Sequence, residues 1–357
     1  MDIKKLMHEM VDRNASDLFY RAGGVPRLRI DGKVIPMDTK ILTVDDVMVA
    51  IEQLANTKQL EVFRNEMDVD FGVYLEEFLR RFRVSIFMQR NWPSIVIRNV
   101  HNNIASFGEL NLPDEILKKL SMETRGIVLL TGTMGSGKST TIASMMEYIN
   151  NNAKKHILTA EEPIEFTFED KQAIINQREL GMDVKNYPVA LRAFTLQSPD
   201  VIFIGNIRDY ETVSSAMAAA ETGVLVLSTL HTINASQTVE RLINLFPPHQ
   251  HQEVRNQLAS LLKGVISLRL VPAKDGVGRF PAYEVMLLTP TISRLIREGK
   301  IWEIPQFIEE GTVFGMQSFN QSLVKLVNED KVNLEDAALV ADSREEFMLV
   351  YRGIKKT

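Results

Sequence analysis

Gly132-Thr133-Met134-Gly135-Ser136-Gly137-Lys138-Ser139-Thr140 is the stretch that decides the fold. Its spacing, G-x-x-x-x-G-K-S, is that of a loop that wraps phosphate groups. Residues 127–130 form a short apolar run before it, and residues 141–149 read as a helix after it. The loop therefore joins a buried strand to a helix, a context that a chance glycine turn would lack. Glycines let the backbone curl until its N–H groups converge. The helix N-terminus behind them adds partial positive charge. In that geometry Lys138 reaches the β- and γ-phosphates of a nucleotide, and the Ser139 hydroxyl helps hold Mg²⁺.

Working outward, residues 157–160, 201–204 and 224–228 are further short apolar runs bounded by turn or polar residues. Such runs fit central strands of a parallel sheet, and their order with helices is that of an α/β fold. Each is followed by polar chemistry. After the first comes Glu161-Glu162-Pro163-Ile164-Glu165, after the second Gly205-Asn206-Ile207-Arg208-Asp209, and after the third His231-Thr232. Residues at the carboxyl ends of parallel strands line the ligand crevice of such sheets. Glu162 and Glu165 are candidates to orient water or hold Mg²⁺ through water. His231 is a candidate sensor of the terminal phosphate, against the alternative of a structural histidine. His249 and His251, at i and i+2, read as surface polar residues rather than a metal pair.

The first hundred residues have a different pattern. Residues 2–14 carry apolar side chains at helical spacing, and Thr43 caps a second helix over 44–54. Residues 16–34 read as strands with a hairpin signal at Asp31-Gly32, and residues 68–75, 82–89 and 94–100 alternate like three more. The expected division is an α+β domain over 1–101, a polar linker over 102–114, and an α/β domain over 115–357 that becomes helical from about 290 and ends in a basic tail, Lys355-Lys356.

Composition narrows the function classes. The 357 residues include no cysteine, which excludes disulfides, thiol catalysis and Cys-based zinc sites. No signal peptide and no run of about 18 apolar residues is present, so a cytoplasmic protein is expected. A formal net charge of −5 and the lack of a basic stripe disfavour nucleic acid as a partner.

The phosphate loop, the acidic box over 160–166, the segment over 200–209 and the Thr229-Leu230-His231-Thr232 box occur together in an order that resembles the secretion ATPase superfamily. Within it, the chain most resembles the type IV pilus retraction ATPases, the PilT/PilU-like branch. Ser16-Asp17-Leu18-Phe19, Arg81-Phe82-Arg83-Val84-Ser85, Leu295-Ile296-Arg297-Glu298-Gly299-Lys300 and the helix over 315–323 resemble segments of that branch. The resemblance covers nearly the whole chain. The sister branch that assembles pili usually carries a four-cysteine zinc site and long extra N-terminal domains, and this sequence shows neither. The resemblance implies a PAS-like N-terminal domain, a RecA-like P-loop domain with a helical C-terminal extension, and a homohexameric ring. It also implies ATP/ADP and Mg²⁺ as ligands, and a place at the inner-membrane pilus machinery beside a platform protein. Arg81, Arg83, Arg208 and Arg241 are its candidates for arginines near the nucleotide, a task suited to a fixed charge on a planar fork.

Two positions depart from the family pattern. Asn206 stands where a catalytic glutamate belongs, and Leu196 stands where an arginine is usual, whereas Arg192 is retained. An amide hydrogen-bonds water but cannot take its proton. The expectation is an ATP binder with weakened or absent turnover, acting as a retraction motor or as an accessory ring subunit beside an active paralogue. Glu165 is the carboxylate that would restore activity. An engineered Glu→Asn change is a third reading, against which Leu196 and Ser198 stand.

Overall fold

The computed structural model describes residues 2–30, 32–78, 80–100 and 104–354. Asp31 of the hairpin signal, Asn102 at the head of the expected linker and the Lys355-Lys356 tail lie outside them. The chain divides into two units. One is Met1–Asn103 with Pro163–Thr167, and the other is Ile104–Glu162 with Phe168–Thr357.

In the first unit, α1 (Ile3–Asp12), α2 (Val44–Leu54) and α3 (Thr57–Glu66) accompany six strands: β1 (Asp17–Arg21), β2 (Arg27–Ile30), β3 (Lys33–Pro36), β4 (Asp68–Leu75), β5 (Arg80–Gln89) and β6 (Trp92–Asn99). They form one antiparallel sheet of order β3-β2-β1-β6-β5-β4. Thr43 caps α2 through a reciprocal box with Asp46, which satisfies two otherwise orphan donors. The core of this unit includes Met7, Leu18, Tyr20, Ile51, Phe82 and Ile97. Sequence reading missed α3, whose apolar face is narrow.

The second unit contains α4 (Asp114–Ser121), β7 (Gly126–Thr131), α5 (Lys138–Asn152), β8 (His156–Glu161), β9 (Ile174–Glu179), α6 (Tyr187–Phe194), β10 (Val201–Ile204), α7 (Tyr210–Glu221), β11 (Leu225–Leu230), α8 (Ala235–Asn244) and α9 (His251–Leu261). A hairpin of β12 (Leu262–Pro272) and β13 (Arg279–Leu287) follows, then α10 (Pro290–Glu298), α11 (Ile304–Glu310), α12 (Phe319–Asn328), α13 (Leu334–Val340) and α14 (Arg344–Tyr351). The sheet order is β13-β12-β7-β11-β10-β8-β9, parallel except for the β12–β13 pair. β7, β10 and β11 are buried along their whole length. That is why they read as unbroken apolar runs rather than alternating ones. The last helices close a smaller core of their own, built on Phe319, Leu323 and Phe347 against Val271 and Ala282.

Residues 104–113 differ from the expected linker. Phe107 and Leu112 are buried in the core of the second unit. Burying two such side chains contributes on the order of 1.5–3 kcal/mol each, so this polar-looking stretch is anchored. Its Asn, Ser and Glu residues hid two apolar anchors.

Candidate nucleotide site

The parallel register brings the chemistry to one edge of the sheet. Leu230 of β11 pairs with Thr131 of β7, and Ile204 of β10 lies between Ser228 and Ala160. The segments beginning at Gly132, Glu161, Gly205 and His231 therefore leave their strands side by side. Cross-links fix them there. The Thr229 hydroxyl donates to the Gly205 carbonyl at 2.7 Å, the Ile207 N–H to the Thr229 carbonyl at 3.1 Å, and the Gly205 N–H to the Ala160 carbonyl at 2.8 Å.

The phosphate loop has the curl its glycines allow, with φ of 143° at Gly132, 75° at Gly135 and 98° at Gly137. A Cβ at Gly132 would lie 2.5 Å from the Leu268 carbonyl oxygen and 2.5 Å from Ser136 Oγ. Gly137 opens α5 without a side-chain cap, so the first-turn N–H groups remain available at the loop. Lys138 is buried, and its Nζ donates to the carbonyls of Gly132 and Thr133, both at 2.8 Å. Thr133, Met134 and Gly135 are exposed at the tip, whereas Ser139 and Thr140 are half-buried in the first turn of α5. The Ser139 hydroxyl makes no hydrogen bond to protein among the described residues.

His231 leaves β11 directly beside this loop, because Leu230 pairs with Thr131. Partial burial, then the positive charges of Lys138 and Arg208, hold its pKa below the ordinary histidine value. The imidazole is thereby neutral at physiological pH. Asn206 is 6% exposed, and its Oδ1 is buried without a hydrogen-bond partner; the Ser136 Oγ, on a side chain 4% exposed, is in the same state. Buried polar atoms left unpaired in a native structure call for an explanation, and a ligand or water at the site is one.

Glu162 accepts from Arg208 at 3.3 Å, both half-exposed or more, so the pair is worth at most about 1 kcal/mol. Glu161 is buried and accepts from the Thr159 hydroxyl at 2.6 Å and Gln177 at 3.1 Å. Asp200 sits at the opposite end of β10, where it accepts from the His156 N–H, and Asp209 caps α7 by accepting from the Thr212 N–H. Their local hydrogen bonds give these two carboxylates structural work.

Three of the sequence candidates belong to the first unit and Arg241 to the second. Glu165 is exposed and belongs to Pro163–Thr167, the segment grouped with the first unit. Arg81 and Arg83 lie on β5 of that unit, where Arg83 pairs with Asp70 at 2.9 Å and Arg81 packs over Gly72. Arg241 is exposed in the last turn of α8, six residues or about 9 Å along the axis from its start. The His251 Nε2 bonds the Phe246 carbonyl at 2.9 Å. No metal-holding group of three His, Asp or Glu occurs among the described residues. The Ser139 hydroxyl, without a protein partner among the described residues at the start of α5, is the group there that would suit an Mg²⁺ carried by nucleotide phosphates.

Sequence reading missed Tyr187. Its ring is buried at the start of α6, and its hydroxyl lies 3.0 Å from where a Cβ on Gly205 would sit. Burial first, then Glu162, raises its pKa and keeps it a neutral phenol. The available signal was an aromatic residue directly after the helix-capping Asn186.

The family model described as "Type II/IV secretion system protein" matches residues 1–312. The chain belongs to that family. Two relatives from Pseudomonas aeruginosa match nearly end to end. The type IV pilus ATPase PilU is 39% identical over 352 residues, 99% of this chain and 92% of that protein. The type IV pilus retraction ATPase PilT is 39% identical over 347 residues, 97% of this chain and 100% of that protein. A crystal structure of the pilus retraction motor PilT with bound ADP superposes with a TM-score of 0.89 at 39% identity, covering 97% of this chain and 98% of that one. The retraction ATPase resemblance and the two-domain α/β architecture are thus established, and the chain is a P-loop ATPase of the secretion family. No helix among the described residues is long and apolar enough to cross a membrane.

Proposed function

We propose that this chain is an ATP-binding subunit of a pilus-retraction ring, with hydrolysis weakened at Asn206. The phosphate loop, with Lys138 folded onto it and His231 beside it, is the observation that carries the reading. On binding MgATP, the Lys138 ammonium exchanges the Gly132 and Thr133 carbonyls for phosphate oxygens, and the uncapped N–H groups of α5 surround the same phosphates. Ser139 would hold, through its hydroxyl, an Mg²⁺ brought by the nucleotide, which would supply charge neutralisation at the phosphates. His231, neutral and next to Gly132 at the strand ends, is placed to respond to the terminal phosphate. Asn206 orients water through its free Oδ1 without accepting its proton. The ring of six copies, the inner-membrane platform partner, the cytoplasmic location, the PAS-like character of the first unit and the roles of Glu165, Arg81, Arg83 and Arg241 belong to this same reading.

A second reading is favoured by one feature, the amide at Asn206. It makes the chain an accessory subunit that binds nucleotide and works beside an active paralogue. Steady-state ATP hydrolysis by the purified chain with Mg²⁺, beside Asn206→Glu and Lys138→Ala, separates the two. Turnover that Lys138→Ala abolishes supports the motor. Tight binding without turnover, with turnover gained in Asn206→Glu, supports the accessory subunit. Absence of nucleotide binding would end both.

A further inference from the structure

A polar line crosses three adjacent strands beneath the phosphate loop. Ser267 of β12 is in register with Thr131 of β7 on one side and with Glu284 of β13 on the other. The Thr131 hydroxyl donates to Ser267 Oγ at 3.0 Å, and Ser267 Oγ donates to Glu284 Oε1 at 3.2 Å. The same Oε1 accepts from the Ala235 N–H at 2.7 Å. Thr131 immediately precedes Gly132, and Ala235 opens α8, four residues beyond His231. Because Leu230 pairs with Thr131, His231 and Gly132 leave adjacent strands side by side, and the hydrogen bonds run from the start of the phosphate loop through Thr131, Ser267 and Glu284 to the start of α8, just beyond His231.

All three side chains are buried, Glu284 at 7% exposure. A buried carboxyl is costly, and an apolar residue would fill the space more cheaply unless the hydrogen bonds are needed. The loop between His231 and α8 is also held from its other side. Arg269 of β12 donates to the Ile233 carbonyl at 3.3 Å and to the Val340 carbonyl at 2.8 Å, and pairs with Asp342. The His231 loop is therefore held by a buried carboxyl at Ala235 and by a partly buried arginine at Ile233.

We propose that Glu284 is a positioning residue that sets the His231 loop against the phosphate loop, so that the site distinguishes ATP from ADP. An ionised carboxylate draws the Ala235 N–H and the Ser267 hydroxyl more strongly than a neutral acid does, and the N-terminus of α8 favours the anion. The charged groups acting on it are Arg269 from β12, which favours ionisation, and Asp342 beyond α13, which opposes it. Burial dominates and pushes the Glu284 pKa up from the ordinary value to about 7. The clamp thus tightens as pH rises through neutrality.

This inference rests on the nucleotide-binding reading of the loop, and the test keeps the two apart. Affinities of the full chain for MgATP and MgADP are measured by calorimetry at pH 6 and pH 8, for the natural chain, Glu284→Gln and Ser267→Ala. Glutamine keeps the shape and the acceptor but not the charge. The natural chain is expected to shift its ATP-to-ADP preference by about fivefold or more between the two pH values, the low end of coupling between sites. Glu284→Gln should show the pH 6 preference at both, and Ser267→Ala should reduce the shift. A preference in Glu284→Gln that follows pH as in the natural chain overturns the proposal, as does an equal loss of both affinities. No binding of either nucleotide by the natural chain overturns the parent reading and this one with it.

Discussion

At Asn206 a carboxamide lies at the end of β10 with its Oδ1 buried and unpaired, next to a loop that has every group needed to hold phosphates. General-base catalysis contributes about 10²–10⁴ in rate. Asn206→Glu is therefore expected to raise kcat by about that factor while leaving nucleotide affinity within a few-fold, as measured by phosphate release and by equilibrium binding. A gain in affinity with kcat unchanged would remove Asn206 from the hydrolytic step. Lys138→Ala is expected to abolish binding, because it removes the one buried cation the loop folds around. Leu196, at 85% exposure, packs against nothing that would require an apolar side chain. Nothing in the structure explains its replacing the arginine usual in the family.

At the scale of the element, the loop and the β12–β13 hairpin each carry a prediction. Gly132→Ala places a Cβ 2.5 Å from a backbone carbonyl at a positive φ. A loss of roughly 1–3 kcal/mol in stability is expected from strain of that kind, together with loss of ATP binding. Unchanged denaturant midpoint and affinity would show that the loop relaxes freely. Glu284 predicts a pH dependence whose sign follows from its raised pKa. Its contribution is fully present below the ordinary carboxylate pKa near 4.5 and is lost as pH rises toward about 7. The melting temperature of Glu284→Gln relative to the natural chain should therefore increase from pH 5 to pH 8. A constant difference would mean that the carboxyl titrates normally. The central strands and the phosphate loop were legible in the sequence because burial on both faces writes continuous apolar runs and because the glycines have conformational work to do. The β12–β13 hairpin was not, since Lys263, Arg269 and Glu284 interrupt its apolar pattern and only pairing across strands reveals their use. Tyr187 was hidden for the same reason, as only the fold brings its hydroxyl to Gly205.

On the scale of the whole molecule, separate hydrophobic cores in the two units predict more than one unfolding transition in calorimetry. ATP at about 100 times its Kd should stabilise only the transition of the second unit, by roughly 2.7 kcal/mol. A single transition, shifted as one by ATP, would show that the units unfold together. The division itself was only partly legible. The change from strand-rich to α/β order marks the place where the first unit gives way to the second, but residues 104–113 look like a linker and carry core anchors. The return of Pro163–Thr167 to the first unit leaves no mark in composition at all.

That return has a consequence for synthesis on the ribosome. A unit made of the first hundred residues plus five from 163–167 cannot complete itself when its main segment emerges. It must wait for about 60 further residues, several seconds at roughly 5–20 residues per second. By then the phosphate loop and α5 have already been made. The nascent first unit therefore reaches its full set of contacts only after the beginnings of the second are present, and the two folding histories are interleaved rather than sequential.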